Sequence, residues 1–432
     1  MGLAEELQDE TAEVLARLIR FRTVNPPGDE RACAEWLAGY LEDAGLACEL
    51  HAAEPERPNL VATLKGGDGP ALGYLSHLDT VLADAQDWSA DPWGAEIKDG
   101  FLYGRGALDM KNQTAAEAVA LVALARKGIR PNGDVKLFAV ADEETGGSQG
   151  AQWLTENRPD AARVDYLVNE GAGSVIPYGD RRLYGVCVAE KGTFRFRVRT
   201  TGTAAHASIP GLAENALLKL APAITALGNA RPGFDITEAA EALLDGLGED
   251  PKDPQGALES VIRTEPRLGP ILDAALRVTF APTIVSAGEK INVIPARAEL
   301  RVDCRVPPGM GEDVARKRVA EVLNGDVDVE FTESTPGNRS PVSSPLMDAI
   351  AAWVASNDAG AETVPTVLPA FTDCRWWRAA FPDCVAYGFF PQRHQTLYET
   401  WPLMHAKDER IDVRDLGFAA AFFHALPERI LT

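Results

Sequence analysis

The chain has 432 residues, which is long enough for two or three domains whose cores need no disulfide support. Apolar residues make up 46% and charged residues 25%, as in ordinary globular proteins, and the net charge at pH 7 is −22. Nucleic acids and anionic membranes attract basic surfaces, so the composition predicts no nucleic-acid and no membrane partner. The six cysteines stand singly and the N-terminal segment lacks a signal pattern, so we expect reduced thiols and a cytoplasmic location.

The first 190 residues alternate helical and strand-like patterns. Apolar residues at helical spacing predict a helix from Leu3 to about Ile19, which the Asn25–Gly28 turn ends. Further helices are predicted at about 29–43 and 114–127. Strands are predicted at the short apolar runs 46–50, 60–65, 72–75, 135–140 and 164–168. This alternation favours an α/β domain with a mixed, mostly parallel sheet flanked by helices.

The pattern changes after residue 190. A half-exposed strand is predicted at 193–200, where apolar and charged residues alternate, and a loop-rich acidic stretch with helical pieces at 231–277. The other predicted elements are a helix at 213–227, strands at 282–286 and 298–305, a helix at 311–323 and a strand at 327–331. This is the order of a ferredoxin-like α+β domain. Mixed α/β patterns return after 335 and end in a helix near 413–425. We therefore predict one α/β domain from 1–190 and 335–432, with a smaller domain inserted at 191–334.

Three predicted strands end in imidazole or carboxylate side chains. The strands near 72–76, 135–141 and 166–169 run respectively into His77 and Asp79, into Glu143 and Glu144, and into Glu170. Ligands of open α/β sheets bind beyond the carboxyl ends of the strands, so we expect these side chains at one edge. Two loop residues are candidates to join them: Asp109, in a glycine-rich loop before a helix, and His405, in a late polar loop.

Imidazole and carboxylate together suit Zn²⁺, with Co²⁺ or Mn²⁺ as substitutes, and one aspartate can bridge two ions. The neighbours Glu143 and Glu144 point in different directions, so one can bind metal while the other acts as a general base. Asp79 is spaced to hold the His77 imidazole in one tautomer. Each of these residues alone is more often an ordinary solvated or core residue. The residues by themselves therefore leave open whether the protein has a metal site.

The blocks that carry these residues resemble the metallopeptidase-20 family, which includes aminoacylases, glutamate carboxypeptidases, acetylornithine deacetylase and succinyl-diaminopimelate desuccinylase. They keep the family's order: SHLDTV (76–81), GRGALDMKN (104–112), ADEETGG (141–147), NEG (169–171), AHAS (205–208), INVIP (291–295), DCRVPPG (303–309) and HAKDERI (405–411). The resemblance implies a catalytic α/β domain with an inserted lid or dimerisation domain. It also implies a homodimer that forms through the insert.

The resemblance implies a dinuclear site with two Zn²⁺ ions per subunit. In that assignment His77 and Glu170 bind one ion, Glu144 and His405 bind the other, and Asp109 bridges both. Glu143 is then the general base, Asp79 orients His77, and the Asp109–Met110 peptide bond is a candidate for the cis form.

Three residues of the insert also lie in family blocks. His206 is implied to stabilise the oxyanion of the substrate, often from the partner subunit, with a plain surface histidine as the alternative. Asn292 is a candidate to bind substrate. A guanidinium grips a carboxylate through two hydrogen bonds, so Arg305 is a candidate for the substrate carboxylate, with an ordinary ion pair as the alternative.

The implied reaction is hydrolysis of an amide bond in a small molecule: an N-acyl amino acid, a dipeptide or a related amide that bears a carboxylate. Metal-activated water attacks, with Glu143 as general base. Two alternatives stay open: a catalytically silent homologue that binds a metabolite, and an amidase for an unusual acylated natural product or toxin. Cys374, Trp376 and Trp377 depart from the family pattern and are expected beside the substrate pocket, with core packing as the alternative.

Overall fold

The computed structural model describes residues 2–323 and 327–431. The chain forms two compact units. The first comprises the described residues of Met1–Val188, Ser340–Thr366 and Thr372–Thr432, and the second those of Ala189–Arg339 and Val367–Phe371. In the part of the chain that the structure describes, none of the helices has both the length and the apolar character that crossing a bilayer requires.

Helices and strands alternate along most of the chain. The helices are α1 (Leu3–Arg20), α2 (Arg31–Glu42), α3 (Lys111–Arg126), α4 (Ala151–Asn157), α5 (Pro159–Ala162), α6 (Ala216–Gly228), α7 (Glu238–Leu247), α8 (Pro254–Thr264), α9 (Gly269–Leu276), α10 (Glu312–Val322), α11 (Pro345–Asn357), α12 (Cys374–Ala380), α13 (Leu397–Thr400) and α14 (Val413–Ile430). The strands are β1 (Ala47–His51), β2 (Asn59–Leu64), β3 (Leu72–His77), β4 (Ile97–Lys98), β5 (Phe101–Tyr103), β6 (Val135–Val140), β7 (Tyr166–Asn169), β8 (Ser174–Tyr178), β9 (Arg181–Glu190), β10 (Gly192–Thr193), β11 (Phe196–Thr201), β12 (Thr279–Ala287), β13 (Arg297–Val306), β14 (Asp328–Phe331), β15 (Asn338–Arg339), β16 (Ala361–Leu368), β17 (Val385–Gly388), β18 (Gln392–Thr396) and β19 (Arg410–Asp412).

A large mixed sheet forms the centre of the first unit. Its strand order is β1-β2-β6-β3-β7-β17-β9-β8-β18, with β16 also paired to β9. Strand β15 pairs with the last two residues of β9, which belong to the second unit. The four strands β6, β3, β7 and β17 are mutually parallel. Strands β2 and β3 are buried along their whole length, because helices cover both faces of this mixed sheet.

Helices cover the two faces of this sheet. On one face α1, α3 and α14 contact one another, and α3 also contacts β3 and β6. Neighbouring residues of β3 point to opposite faces: the Tyr74 hydroxyl donates to the Phe423 carbonyl of α14 at 2.6 Å, while Leu75 packs with Phe138 and Trp377. The fold class predicted for this part, a mixed and mostly parallel sheet between helices, is confirmed.

The second unit contains an antiparallel sheet in the order β14-β11-β13-β12. In chain order these strands and helices run β11, α6, β12, β13, α10, β14, which is the predicted ferredoxin-like arrangement. Apolar residues of α6 and α10 pack on the inward side chains of the sheet, among them Leu220, Val319 and Val302. The acidic stretch predicted as loop-rich with helical pieces holds three helices, α7 to α9, since Thr237 and Asp253 cap the first two.

Candidate metal centre

The carboxyl ends of three adjacent parallel strands carry the site. His77 is the last residue of β3, Glu143 and Glu144 lie in a short 3-10 turn after β6, and Glu170 follows β7. Because β6, β3 and β7 are neighbours and run the same way, their carboxyl ends meet at one edge of the sheet.

Asp109 stands between two imidazoles. It lies just before α3, and its peptide bond to Met110 is cis, as the resemblance implied. Its Oδ1 lies 3.1 Å from the Nε2 of His77, and its Oδ2 lies 3.0 Å from the Nε2 of His405. Each oxygen of one carboxylate therefore faces a different imidazole, which is the arrangement that a bridging ligand requires.

Three glutamates surround this core. The Nε2 of His405 lies 3.1 Å from Oε2 of Glu144, and the Nε2 of His77 lies 3.7 Å from Oε1 of Glu170. Donor atoms of His77, Asp109 and Glu144 all lie within 4.8 Å of one another, and so do those of His77, Glu143 and Glu170. The structure thus brings all the predicted metal-type ligands together, with Glu143 beside them.

Asp79 ties the end of β3 to the turn after β6. Its backbone carbonyl lies 3.0 Å from Nδ1 of His77, and its Oδ1 lies 3.4 Å from the same nitrogen. The Asp79 carboxylate also accepts the backbone N–H groups of Glu143 and Glu144, both at 3.1 Å. Asp79 thus lies against Nδ1 of His77, and it also fixes the backbone of the two glutamates, which the sequence did not indicate.

A buried ion pair supports the same turn from behind. Asp142 adopts a left-handed backbone conformation, with φ 71°, and its carboxylate accepts from Arg57 at 2.9 Å and from the backbone N–H of Gln149 at 2.9 Å. Arg57 in turn donates to the buried Glu30 at 2.6 Å. Asn25 donates to both Asp79 and Asp142. These contacts set the direction in which Glu143 and Glu144 leave the strand.

The site concentrates negative charge. Burial and the Glu170 charge raise the pKa of Glu143 well above its usual range, and burial and the Asp109 charge do the same for Glu170. Burial alone would raise the pKa of Asp109, but the His405 and His77 imidazoles hold it below its usual value. Hydrogen bonding to Asp109 and Glu144 raises the pKa of His405 to about 10.

Asp373 is a further acidic residue of the site that the sequence did not single out. It is buried, its Oδ2 has no hydrogen-bond partner in the described structure, and burial raises its pKa to about 8. A Cβ at Gly147, beyond the Glu143 turn, would lie 2.8 Å from its Oδ1. The only signal in the sequence was its position in the 371–377 block. From the sequence, a single aspartate there looks the same whether it is buried or solvated.

The donor set fits divalent cations. Carboxylates of Asp109, Glu143, Glu144, Glu170 and Asp373 share the site with the two imidazoles of His77 and His405. A group of partly buried carboxylates that so outnumbers the cationic partners is unfavourable unless bound cations or protons compensate the charge. Imidazole and carboxylate oxygens are ligands that Zn²⁺ accepts.

The remaining predicted residues belong to the second unit. His206 is exposed, and its Nδ1 lies 2.7 Å from the Ser208 hydroxyl. Asn292 is also exposed and lies beside it, because its backbone carbonyl accepts the N–H of Ala207 at 2.9 Å. Arg305 lies apart on β13, where it donates to Asp303 at 2.8 Å and to the Thr193 hydroxyl at 2.9 Å.

The two tryptophans of the 371–377 block differ in their surroundings. Trp377 is fully buried, donates to the Ala162 carbonyl at 3.0 Å and packs against Phe138, so it belongs to the core. Trp376 is partly buried, and its Nε1 would lie 2.8 Å from a Cβ at Gly147. Core packing is therefore the correct alternative for Trp377. Trp376 also packs against this core, and its indole nitrogen lies near Gly147, as does the Asp373 carboxyl.

Comparison with known proteins identifies relatives over most of the chain. Residues 73–429 match the model of peptidase family M20/M25/M40. The succinyl-diaminopimelate desuccinylase 2 of Ruegeria sp. (strain TM1040) is 33% identical over 225 residues, which cover 50% of this chain and 54% of that protein. The chain thus matches about half the length of this relative. The resemblance predicted from the sequence blocks is confirmed by the family match.

Solved structures share the fold at low identity. An M20 family metallo-carboxypeptidase from Sulfolobus solfataricus superposes with a TM-score of 0.73 at 20% identity, covering 98% of this chain and 99% of that one. Human carnosine dipeptidase 1 superposes with a TM-score of 0.71 at 16% identity, covering 99% of both chains.

Proposed function

Because the chain belongs to peptidase family M20/M25/M40, and is thus a hydrolase of a metal-dependent family, we propose that it cleaves an amide bond in an N-acyl amino acid, a dipeptide or a related amide that bears a carboxylate. One observation carries the proposal: Asp109 divides its two oxygens between His77 and His405, with Glu143 beside them. This is the donor set of a two-metal hydrolase with a carboxylate left over.

We propose that the site binds two Zn²⁺ ions, with Co²⁺ or Mn²⁺ as substitutes. His77 and Glu170 would hold one ion, Glu144 and His405 the other, and Asp109 both. When bound, the ions would supply Lewis-acid polarisation of water and of the amide carbonyl.

Glu143 is the general base in this proposal. No described residue donates a hydrogen bond to its carboxylate, whereas the neighbouring Glu144 faces His405 at 3.1 Å. Its backbone N–H is held by Asp79, which fixes the start of the side chain. Glu143 would take the proton of the attacking water and pass it to the leaving amine, because one free carboxylate can serve both steps in turn.

The second unit supplies the proposed substrate residues. The exposed His206 would donate to the developing oxyanion, and the neighbouring Asn292 would bind substrate. Arg305 would bind the substrate carboxylate, which must then share the guanidinium with Asp303.

We propose that residues 191–334 act as a lid and dimerisation domain. Strand β12 lies at the edge of the described sheet of the second unit, and Ile284 and Val285 on it are more than half exposed. An exposed edge strand with apolar side chains is a template for pairing with a second copy. We also propose a cytoplasmic location, since none of the six cysteines forms a disulfide and five of them are buried.

The deciding experiment compares Glu143→Gln with wild type on a panel of N-acyl amino acids and dipeptides, after loading with Zn²⁺. The expected result is unchanged metal content and a loss of kcat of about 10²-fold or more, because Gln cannot accept the proton. Glu156→Gln, an exposed glutamate on α4, is the matched control and should keep full activity. Full turnover by a metal-loaded Glu143→Gln enzyme would contradict the assignment of the base, and absence of activity on the whole panel would contradict the substrate class.

A further inference from the structure

A buried carboxylate joins the two loops that carry Asp109 and His405. Glu409 is fully buried, four residues after His405. Its Oε1 accepts three backbone N–H groups of the 104–110 loop: those of Gly106 at 3.1 Å, Leu108 at 2.6 Å and Asp109 at 3.0 Å. One oxygen thus fixes the backbone from which the Asp109 side chain departs.

Arg105 ties the same loop to the His405 segment in the opposite direction. Its Nη1 lies 2.5 Å from the second oxygen of Glu409, and its Nη2 donates at 3.1 Å to the carbonyl of Ala406, the residue after His405. The guanidinium also lies over the Trp88 ring, at 5.3 Å from its centroid, and is almost completely buried. The backbone N–H of Gly104 donates to the Glu409 carbonyl at 3.0 Å, which adds a main-chain link.

These contacts account for the closeness of two side chains that are almost three hundred positions apart in the sequence. His405 is half exposed and has a left-handed backbone, with φ 58°, so little packing holds it from outside. Its Nε2 nevertheless lies 3.0 Å from Asp109 and 3.1 Å from Glu144. Strand β19 pairs with β5 just beyond this segment, and the buried Arg105–Glu409 pair is the side-chain anchor that holds residues 406 and 409 against the Asp109 loop itself.

We propose that Glu409 and Arg105 are positioning residues that set the Asp109–His405 spacing for metal binding. The inference rests on the proposed metal site and adds residues that touch neither metal nor substrate. Replacing a residue that orients a metal ligand usually lowers metal affinity by about 10- to 100-fold, because a ligand that is no longer held in place must be ordered when the metal binds.

The test variant is Glu409→Gln. Its Oε1 can still accept the three backbone N–H groups, but an NH₂ group replaces the oxygen that faces Arg105, so donor meets donor. Asp415→Asn is the matched control: Asp415 is also fully buried and accepts three backbone N–H groups, from Arg393 at 2.7 Å, His394 at 2.8 Å and Gln395 at 2.9 Å. None of those three residues is a proposed ligand, so this control loses a loop-holding carboxylate of the same kind away from the metal donors.

Zn²⁺ affinity is measured by competition with a chromogenic chelator, and folding is followed in parallel by urea unfolding. We expect both variants to unfold at lower urea than wild type, but only Glu409→Gln to bind Zn²⁺ at least about tenfold more weakly. Arg105→Lys keeps the positive charge, but lysine has one nitrogen in place of the two that contact Glu409 and Ala406, so this variant should also bind Zn²⁺ more weakly. If Glu409→Gln does not fold, the Zn²⁺ affinity of Arg105→Lys decides the question.

Wild-type affinity in a folded Glu409→Gln protein, or an equal loss in Asp415→Asn, would overturn the inference while the proposed metal site stands. A wild-type protein that binds no Zn²⁺ at all would overturn the proposed function and the inference together.

Discussion

Two adjacent carboxylates in this site have different environments. Glu144 faces His405, and its pKa is raised by burial and the Asp109 charge against the opposing effect of that imidazole. Glu143 has no such partner, and burial together with the Glu170 charge raises its pKa further. Neighbouring groups whose environments differ in this way are suited to different roles. The separation follows from the Asp79 carboxylate, which holds both backbone N–H groups and leaves the side chains to diverge.

Lys191, in the second unit, gives a prediction on pH dependence. It is fully buried and donates to the carbonyls of Ala274 at 2.7 Å and Arg277 at 2.8 Å, and burial lowers its pKa to about 7. An unfolded lysine titrates near 10.4, so between pH 7 and 10 the unfolded chain binds more protons than the folded one. The free energy of unfolding should therefore rise with pH in this window, by up to about 1.4 kcal/mol per pH unit from this residue.

Urea unfolding of wild type and Lys191→Met at pH 7, 8 and 9 checks this expectation. The variant should be less stable at each pH, because two buried carbonyls lose their donor, and the gap to wild type should widen as the pH rises. Lys219→Met, which removes an exposed lysine of α6, is the control and should leave the pH dependence unchanged. A gap that stays constant from pH 7 to 9 would contradict the prediction.

At the scale of single residues, the sequence revealed the ligands better than their supports. His77 and Asp109 were candidates because their chemical types occur at a strand end and in a glycine-rich loop, whereas His405, in a polar loop, gained its ligand role only from the family resemblance. Asp373 and Glu409 were missed because a lone carboxylate in a polar segment has the same sequence pattern whether it is solvated or buried. Burial is decided by which loops meet in the fold, and neither spacing nor composition encodes that directly.

Among the elements, strand β17 supports Glu170 from behind. Gly388, its last residue, pairs with Asn169 of β7, and a Cβ at this position would overlap the Glu170 carbonyl oxygen and lie 2.9 Å from the Cβ of Cys187. Gly388→Ala should therefore displace the Glu170 backbone. The displacement costs free energy, because the added Cβ meets backbone atoms and not the end of a flexible side chain. We expect reduced metal content and a loss of about 1–3 kcal/mol in the free energy of unfolding.

The same substitution elsewhere provides the control. Gly39 lies inside α2, and a Cβ there would meet no atom within 4 Å. Gly39→Ala should stabilise the protein by up to about 1 kcal/mol, since alanine loses less backbone entropy in a helix, and metal content should not change. Metal analysis and urea unfolding of both variants measure the contrast. If Gly388→Ala keeps its metal and its unfolding midpoint, β17 does not hold Glu170 in the way described.

Continuous apolar runs and long helices were the elements that the sequence predicted well. The predicted run 135–140 is β6, and the helix expected near 413–425 is the longer α14. The β8–β9 hairpin was missed, although Gly179 and Asp180 form a two-residue link between its apolar strands. Short buried strands carry no alternating pattern, so their pairing depends on partners far away in the chain. The order β6-β3-β7, which creates the site, is such a long-range property.

For the whole molecule, the net charge of −22 raises the cost of leaving the site without cations. The carboxylates of the candidate centre repel one another within a chain that is already strongly acidic, and a cation bound only by the folded state relieves that repulsion. We therefore expect metal binding to be coupled to the global stability of this protein.

Metal removal should lower the unfolding temperature of the wild-type protein. A ligand present at about 100 times its Kd adds about 2.7 kcal/mol to the free energy of unfolding when it binds only the folded state. Thermal unfolding is followed by circular dichroism with excess Zn²⁺ and with a strong chelator. Asp109→Asn serves as control, because an amide cannot offer an anionic oxygen to each of two ions, so the chelator should change its unfolding temperature far less. Equal unfolding temperatures of wild type in Zn²⁺ and in chelator would contradict the prediction, because they would show that the acidic cluster is stable without bound cations.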